Sequence, residues 1–224
     1  MKKNAVVIAR YNEDINWINQ LEDVDIYIYN KSEDLVGIDI PDIPNTIIEH
    51  LPNNFSGRDA HTHVYHICKY YDKDYETITF LQGHPFDHCP HTVPYVNYKC
   101  KNLIDYNNII KDLNDDQFCR VAGNFVELGY MATCLSVEWG HGLDVVASEI
   151  SLPVKVLTDK NELVRHFPAG IQFIVNKSAC IDNKSLLWWK NLLEQIGDRS
   201  EWGYAHALER LFPAIWDYNE CDKY

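Results

Sequence analysis

The segment QGHPFDHCPH (82–91) sets His84, Asp87, His88 and His91 close together, straight after the apolar run TITFL (77–81). A hard or borderline divalent cation needs imidazole or carboxylate ligands on a stiff backbone, and Pro85 stiffens the stretch that carries His84, Asp87 and His88. A polar turn around a hydrogen-bonded histidine is the alternative. RYNED (10–14) offers Arg10, Asn12, Glu13 and Asp14, either as a binding rim or as a polar turn in which Asn12 or Asp14 caps the next helix. In NNFSGRD (53–59), free amides and Arg58 ahead of a helix could hold an anion; equally, Gly57 could be a plain turn and Asp59 a partner of the helix dipole.

Two more groups are worth weighing. His63 and His66 stand at i and i+3 and could chelate a metal, but no third ligand shares their face, so we read them as a solvated or hydrogen-bonded flank. Glu209 lies at the edge of an apolar stripe, between Trp202 and Trp216 and beside His206 and Arg210. It is either half of an ion pair or a catalytic carboxyl whose pKa its apolar neighbours raise. Arg210 is not at i,i+4, so a cationic partner is expected from elsewhere in the fold.

The elements that must position these groups alternate. AVVIA (5–9) is a short apolar strand, DIYIYN (25–30) alternates Ile26 and Ile28 with Tyr27 and Tyr29, and TIIEHL (46–51) is a third strand. Ile15, Ile18 and Leu21 predict a helix between the first two. Ala60, Val64, Ile67 and Tyr71 predict another, which leads to the strand TITFL. Residues 1–88 thus read β-α-β-β-α-β, an α/β pattern, and ligands of such sheets bind outside the carboxyl ends of the strands, where RYNED, Asn30-Lys31 and QGHPFDH would converge.

The second half is harder to read. NNIIKDLNDDQF predicts a helix and turn, and GHGLDVVASEI a loop or helix; AGIQFIVNKSAC (169–180) predicts a buried strand running into a turn. NKSLLWWKNLLEQIG is helical with Leu186, Trp189, Leu192, Leu193 and Ile196 inward. A last helix turns Tyr204, Ala205, Leu208, Leu211, Phe212 and Ile215 inward, and Pro213 bends or ends it.

With 224 residues and 46% hydrophobic content, the chain can fill a real core as one domain. Its formal charge of −13 disfavours nucleic acid, so a bound phosphate must rely on local arginines, amides or a metal. No transmembrane segment or signal peptide is visible. The seven cysteines are scattered and odd in number, which fits reduced thiols and a cytoplasmic setting. Abundant Asn, Asp, Ile, Lys and Tyr would suit a low-GC bacterium or a large DNA virus, and for a virus the setting is the host cytoplasm.

Taken together, VVIARYNED, NNFSGRDA and TITFLQGHP resemble the nucleotide-binding half of GT-A glycosyltransferases of the family-2 type. More closely, ARYNEDINW, GRDAHTHVYHI, FLQGHPFDH, AGIQFIVNK and ALERLF are similar to a fungal, bacterial and viral domain of unknown function that is suspected of being GT-A-like. The resemblance implies a single GT-A-like domain, a Rossmann-type mixed sheet flanked by helices, with residues 1–90 binding nucleotide and 91–224 binding acceptor. It implies a sugar transfer from a UDP- or GDP-sugar to a glycan or protein hydroxyl. Tyr11, Asn12 and Glu13 would lie near base and ribose, Arg10 and Gln82 on the same rim, Lys31 at the second strand's exit, and Gly57 and Arg58 near the pyrophosphate.

The departure is at Gln82-Gly83-His84, which stands where the family-2 pattern has Asp-x-Asp. Either His84, Asp87 and His88 hold manganese or magnesium in another geometry, or arginines alone neutralise the leaving diphosphate. Asp87 and Glu209 are the first candidates for the catalytic base, ahead of Asp198 and Glu201. Trp139, Trp188 and Trp202 could stack on an acceptor sugar, although core packing is the default. Two rivals stand beside the transferase: a metal-dependent hydrolase built on His84, Asp87, His88 and His91, and a nucleotide-sugar-binding module without catalysis.

Overall fold

A strand whose middle five residues, Ala5–Ala9, are all apolar has two faces to bury, and β1 (Lys3–Arg10) finds cover for both. The computed structural model describes residues 3–32, 45–52, 57–98, 106–114, 116–135, 146, 149, 158–159, 162–197 and 202–216. Strand β1 pairs in parallel with β2 (Val24–Asn30) on one side and with β4 (Tyr75–Gln82) on the other, and β2 pairs in parallel with β3 (Thr46–His50). Beyond β4 the sheet continues antiparallel through β10 (Phe173–Asn176), β6 (Phe125–Leu128) and β5 (Cys119–Ala122). The order is β3-β2-β1-β4-β10-β6-β5, a seven-stranded mixed sheet flanked by helices. Three more strands, β7 (Met131–Leu135), β9 (Glu162–Pro168) and β8 (Thr158–Asp159), form a small antiparallel sheet.

One face packs Val7, Tyr27, Tyr29 and Phe80 against α1 (Arg58–Lys69), α5 (Leu186–Gly197) and α6 (Trp202–Trp216). The other packs Val6, Ile8, Ile26, Ile28 and Leu81 against a 3-10 turn at Asn16–Gln20, α2 (Thr92–Asn97) and α3 (Tyr106–Leu113). The Ile/Tyr alternation of β2 therefore separates two buried faces rather than core from solvent. After β10 the chain turns at once into the short α4 (Lys177–Cys180), where Asn176 Oδ1 accepts from the Ala179 amide at 3.0 Å.

Several expectations are corrected. The helix expected between β1 and β2 is a 3-10 turn, with Ile18 N donating to Ile15 O and Leu21 N to Ile18 O, each at 3.0 Å. The spacing 15, 18, 21 is the period of three that this geometry requires. Of the two alternatives for His63 and His66, the solvated flank is ruled out, since both are fully buried, and the hydrogen-bonded one holds for His66. His66 Nδ1 shares a 2.8 Å hydrogen bond with the Tyr29 hydroxyl, and His63 packs on Phe80 and Phe212. Burial lowers both imidazoles to about 3, so they are neutral at physiological pH. Pro213 lies inside α6 without ending it. The antiparallel pairs β5–β6 and β7–β9 were not foreseen.

The chain steps outward from β1 to β2 to β3, then α1 carries it back across to β4 on the other side of β1. That reversal sets the carboxyl ends of β1 and β4 side by side, the position where such sheets bind ligands. Among the described residues no helix is long and apolar enough to cross a membrane.

Candidate functional site

At the end of β1, Arg10 works as a strut. Its Nε donates to Glu13 O at 2.9 Å and its Nη1 to Asn30 Oδ1 at 2.8 Å, which fastens the end of β1 to the end of β2. Asn12 Oδ1 accepts from Ser32 Oγ at 2.6 Å, and Glu13 Oε2 accepts from the Tyr11 amide at 2.6 Å. Asp14 Oδ1 accepts from the Asn16 amide at 2.8 Å, but the N-cap of the 3-10 turn is Ile15, so neither Asn12 nor Asp14 fills that position. A Cβ on Gly83, just past β4, would lie 2.5 Å from Glu13 Oε2, so any larger residue there would displace the Glu13 carboxylate. Trp17 Nε1 adds a 2.9 Å bond to Gly83 O.

Below this rim lies a cleft of 310 Å³, lined on one side by Gly57, Arg58, Asp59, Ala60 and Gln82, and on the other by His88, Gly170, Ile171, Ala205, His206 and Glu209. The first wall is the amino end of α1, whose leading N–H groups have no partner within the helix. Gln82 Nε2 donates to Asp59 Oδ2 at 3.0 Å, joining β4 to α1. Gly57 is required by packing: a Cβ there would sit 2.3 Å from Ile196 Cγ2 on α5. Lys31, buried at the exit of β2, donates from Nζ to the Arg58 carbonyl. Burial draws its pKa down to about 8, against the opposing pull of Asp59. For Asp59 itself burial dominates and raises the pKa, although Lys31, Arg58 and the Gln82 hydrogen bond act the other way.

The second wall is built around Glu209. Its Oε1 accepts from the Gly170 amide at 2.8 Å, and its Oε2 lies 3.5 Å from His206 Nδ1 and 3.9 Å from Arg210 Nη1. Burial pushes this carboxyl up, but the His206 hydrogen bond, the Gly170 amide and Arg210 outweigh it and hold the group below the ordinary carboxylate range. The carboxyl is therefore held ionised rather than raised, against the expectation drawn from its apolar neighbours. Its cationic neighbour, Arg210, comes from its own helix rather than from elsewhere in the fold. Gly170 has φ +96°, and a Cβ on it would lie 2.6 Å from His88 Cδ2. His88 is half-buried, and its Nδ1 finds no hydrogen-bond partner among the described residues. Its burial, countered by Glu209 and Asp87, lowers its pKa.

Backbone strain is concentrated in this cleft. Positive φ occurs at five described non-glycine residues: Asp23, Asn45 and Asn114, which tolerate it, and Arg58 (φ 42°) and Ile171 (φ 53°), which do not. Arg58 and Ile171 both line the cleft, one on each wall. Each such residue costs about 1–3 kcal/mol and persists only where its surroundings impose it, a condition met most often at functional sites.

The expected metal ligands are not brought together as a set. His84 Nδ1 and Asp87 Oδ2 meet at 3.4 Å on the surface, with side chains 47% and 77% exposed, while His88 turns into the cleft. His91 precedes α2 and does not line it. Among the described residues no three His, Cys, Asp or Glu side chains are grouped to hold an ion. The donor set present does not fit a resident cation. Asp87 does not line the cleft that holds Glu209. Trp188 packs edge-on to Trp189 at 4.9 Å with Lys184 over its ring, and Trp202 opens α6. Asp198, Glu201 and Trp139 lie outside the described residues.

Of the residues singled out in the sequence, Gly57, Arg58, Gln82, His88 and Glu209 share the cleft; Arg10, Tyr11, Asn12, Glu13 and Lys31 form or brace the adjoining rim; His84 and Asp87 stand apart. The role of Gly170 was missed, and its only sequence signal is a glycine just before a strand. Comparison with protein-family models, with curated proteins and with solved structures finds no match for this chain.

Proposed function

We propose that the protein is a GT-A-like glycosyltransferase that moves a sugar from a nucleoside diphosphate, UDP or GDP, to an acceptor hydroxyl. The observation that carries this reading is one cleft at the carboxyl end of β4, lined both by Arg58 with the amino end of α1 and by the ionised Glu209. Sugar transfer needs both: fixed positive charge where the diphosphate departs, and a carboxylate where the acceptor loses its proton.

In an inverting transfer the acceptor oxygen attacks the anomeric carbon and forms the new C–O bond. The bond to the diphosphate breaks, and the electron pair leaves with that group. Arg58 and the α1 amides neutralise the charge that develops on it, the guanidinium through bidentate contacts to phosphate oxygens. The hydroxyl proton passes to Glu209. Its hydrogen bonds from Gly170 and His206 keep the carboxylate ionised and aimed into the cleft. No step is routed through a metal, because the described donor set does not fit one.

Titration calorimetry with UDP and GDP, together with donor-sugar hydrolysis, tests the reading. Binding of one diphosphate and slow release of its sugar are expected. A chain that binds neither nucleotide is not a transferase of this kind, and one that binds but never releases nucleotide is the non-catalytic module instead.

A further inference from the structure

Among the described residues, Tyr11 and Tyr130 are the two aromatics among the large exposed hydrophobics, and Tyr130 stands beside the Glu209 wall. Its side is 44% exposed, and its ring lies 5.7 Å from the His88 ring, inclined by 32°. The backbone around it is pinned. Gly129 N donates to Phe118 O at 2.8 Å, and Ala169 N to Tyr130 O at 3.1 Å. A Cβ on Gly129 would fall 2.2 Å from the Ala169 carbonyl oxygen, so the two segments touch backbone to backbone. The next residue is Gly170, which binds Glu209 through its amide and leaves room for His88. An exposed ring is thus tied by short backbone links to the carboxylate proposed as base.

We propose that Tyr130 is the platform of an acceptor subsite, and that the acceptor is a pyranose of a glycan rather than a protein side chain. This rests on the transferase reading and deepens it. The cleft has a direction: Arg58 and the α1 amides hold the diphosphate at one end, Glu209 and His88 face the other, and Tyr130 continues that end to the surface. A pyranose has an apolar C–H face, which stacks on an aromatic ring, and equatorial hydroxyls, which need donors and acceptors at its edge. Tyr130 supplies the first; His88, His206 and Glu209 supply the second. A peptide acceptor would call for an apolar patch around the tyrosine, whereas the neighbouring cleft wall is imidazole and carboxylate.

The test compares wild type, Tyr130→Ala and Tyr130→Phe. Methyl glycosides of glucose, galactose, mannose and N-acetylglucosamine are followed by saturation-transfer NMR with and without UDP or GDP, and nucleotide affinity is followed by calorimetry. At least one glycoside is expected to bind wild type and Tyr130→Phe, to weaken at least tenfold in Tyr130→Ala, and to leave nucleotide affinity the same in all three. Equal glycoside affinity in wild type and Tyr130→Ala overturns the proposal, as does a wild type that binds nucleotide but no glycoside, which would favour a protein acceptor. A wild type that binds no nucleotide sinks the transferase reading, while the glycoside arm run without nucleotide still decides Tyr130. Thermal melting of Tyr130→Ala, expected to match wild type, separates lost binding from lost folding.

Discussion

The two walls of the cleft are made from opposite materials. The α1 wall presents a cation and the leading amides of a helix, and behind them the helix packs on the sheet through two neutral histidines, His63 and His66. The α6 wall presents a carboxylate and imidazoles, and its buried side is hydrocarbon: Leu208, Leu211, Phe212, Ile215 and Trp216. Each wall carries one strained residue held by a buried charged group close by, Arg58 through Lys31 and Ile171 next to the Gly170–Glu209 bond. One wall is therefore suited to hold an anion and the other to take a proton, and damage to one should leave the other's task intact.

The largest expected effect comes from Glu209→Gln. It keeps the shape and an acceptor for the Gly170 amide but removes the base, so transfer should slow by about 10²–10⁴-fold. Nucleotide affinity, set by the opposite wall, should stay within roughly twofold. Single-turnover transfer and calorimetry on the same preparation read both; full activity in the variant would remove Glu209 from the chemistry.

Acid should distinguish the walls next. Folded His63 and His66 stay neutral down to about 3, whereas in the unfolded chain they take up protons near 6.5. The unfolded state then binds more protons, so stability is complete above pH ~6.5 and is lost as pH falls toward ~3, by up to about 1.4 kcal/mol per pH unit for each histidine. Urea midpoints at pH 7 and 5 measure the loss. The double variant His63→Leu/His66→Phe should flatten it, and an unchanged slope would show that these residues do not set it.

Arg58→Ala should weaken UDP or GDP binding by more than tenfold, about 1.4 kcal/mol or more, while sparing glycoside binding on the other wall. Equal nucleotide affinity in both proteins would remove the phosphate site. Lys31→Met is expected to act in the same direction but less strongly, since Lys31 grips the Arg58 carbonyl rather than the ligand.

Legibility in the sequence followed the locality of the signal. Strands β1, β2 and β4 and helices α1, α5 and α6 were readable because each is a dense apolar run or stripe of its own. Gln82 was found because it ends such a run, and Arg58 because it opens one. Strands β5 and β6 are four residues each and take their stability from pairing, which no local period reports. His63 and His66 look polar in sequence, and only the Tyr29 hydroxyl and two phenylalanine rings, distant in the chain, make an interior place for them. Gly170 owes its role to His88 and Glu209, 82 residues before it and 39 after by the numbering, so nothing nearby announces it.

The smallest expected effect concerns the residues that seemed most chemical in the sequence. His84 and Asp87 pair on the surface, outside the cleft that Arg58 and Glu209 share, and together give only two ligands where a resident divalent ion needs more. If the first wall neutralises the diphosphate with its own charges, His84→Ala and Asp87→Ala should each change nucleotide affinity by less than about twofold, with manganese or with a chelator. A tenfold loss in either variant, seen only when manganese is present, would show that the ligand's phosphates complete a metal site on this pair. The contrast between a cationic wall and a carboxylate wall would then need a third party, and Arg58→Ala in the chelated protein would show how much of the anion binding the α1 wall supplies by itself.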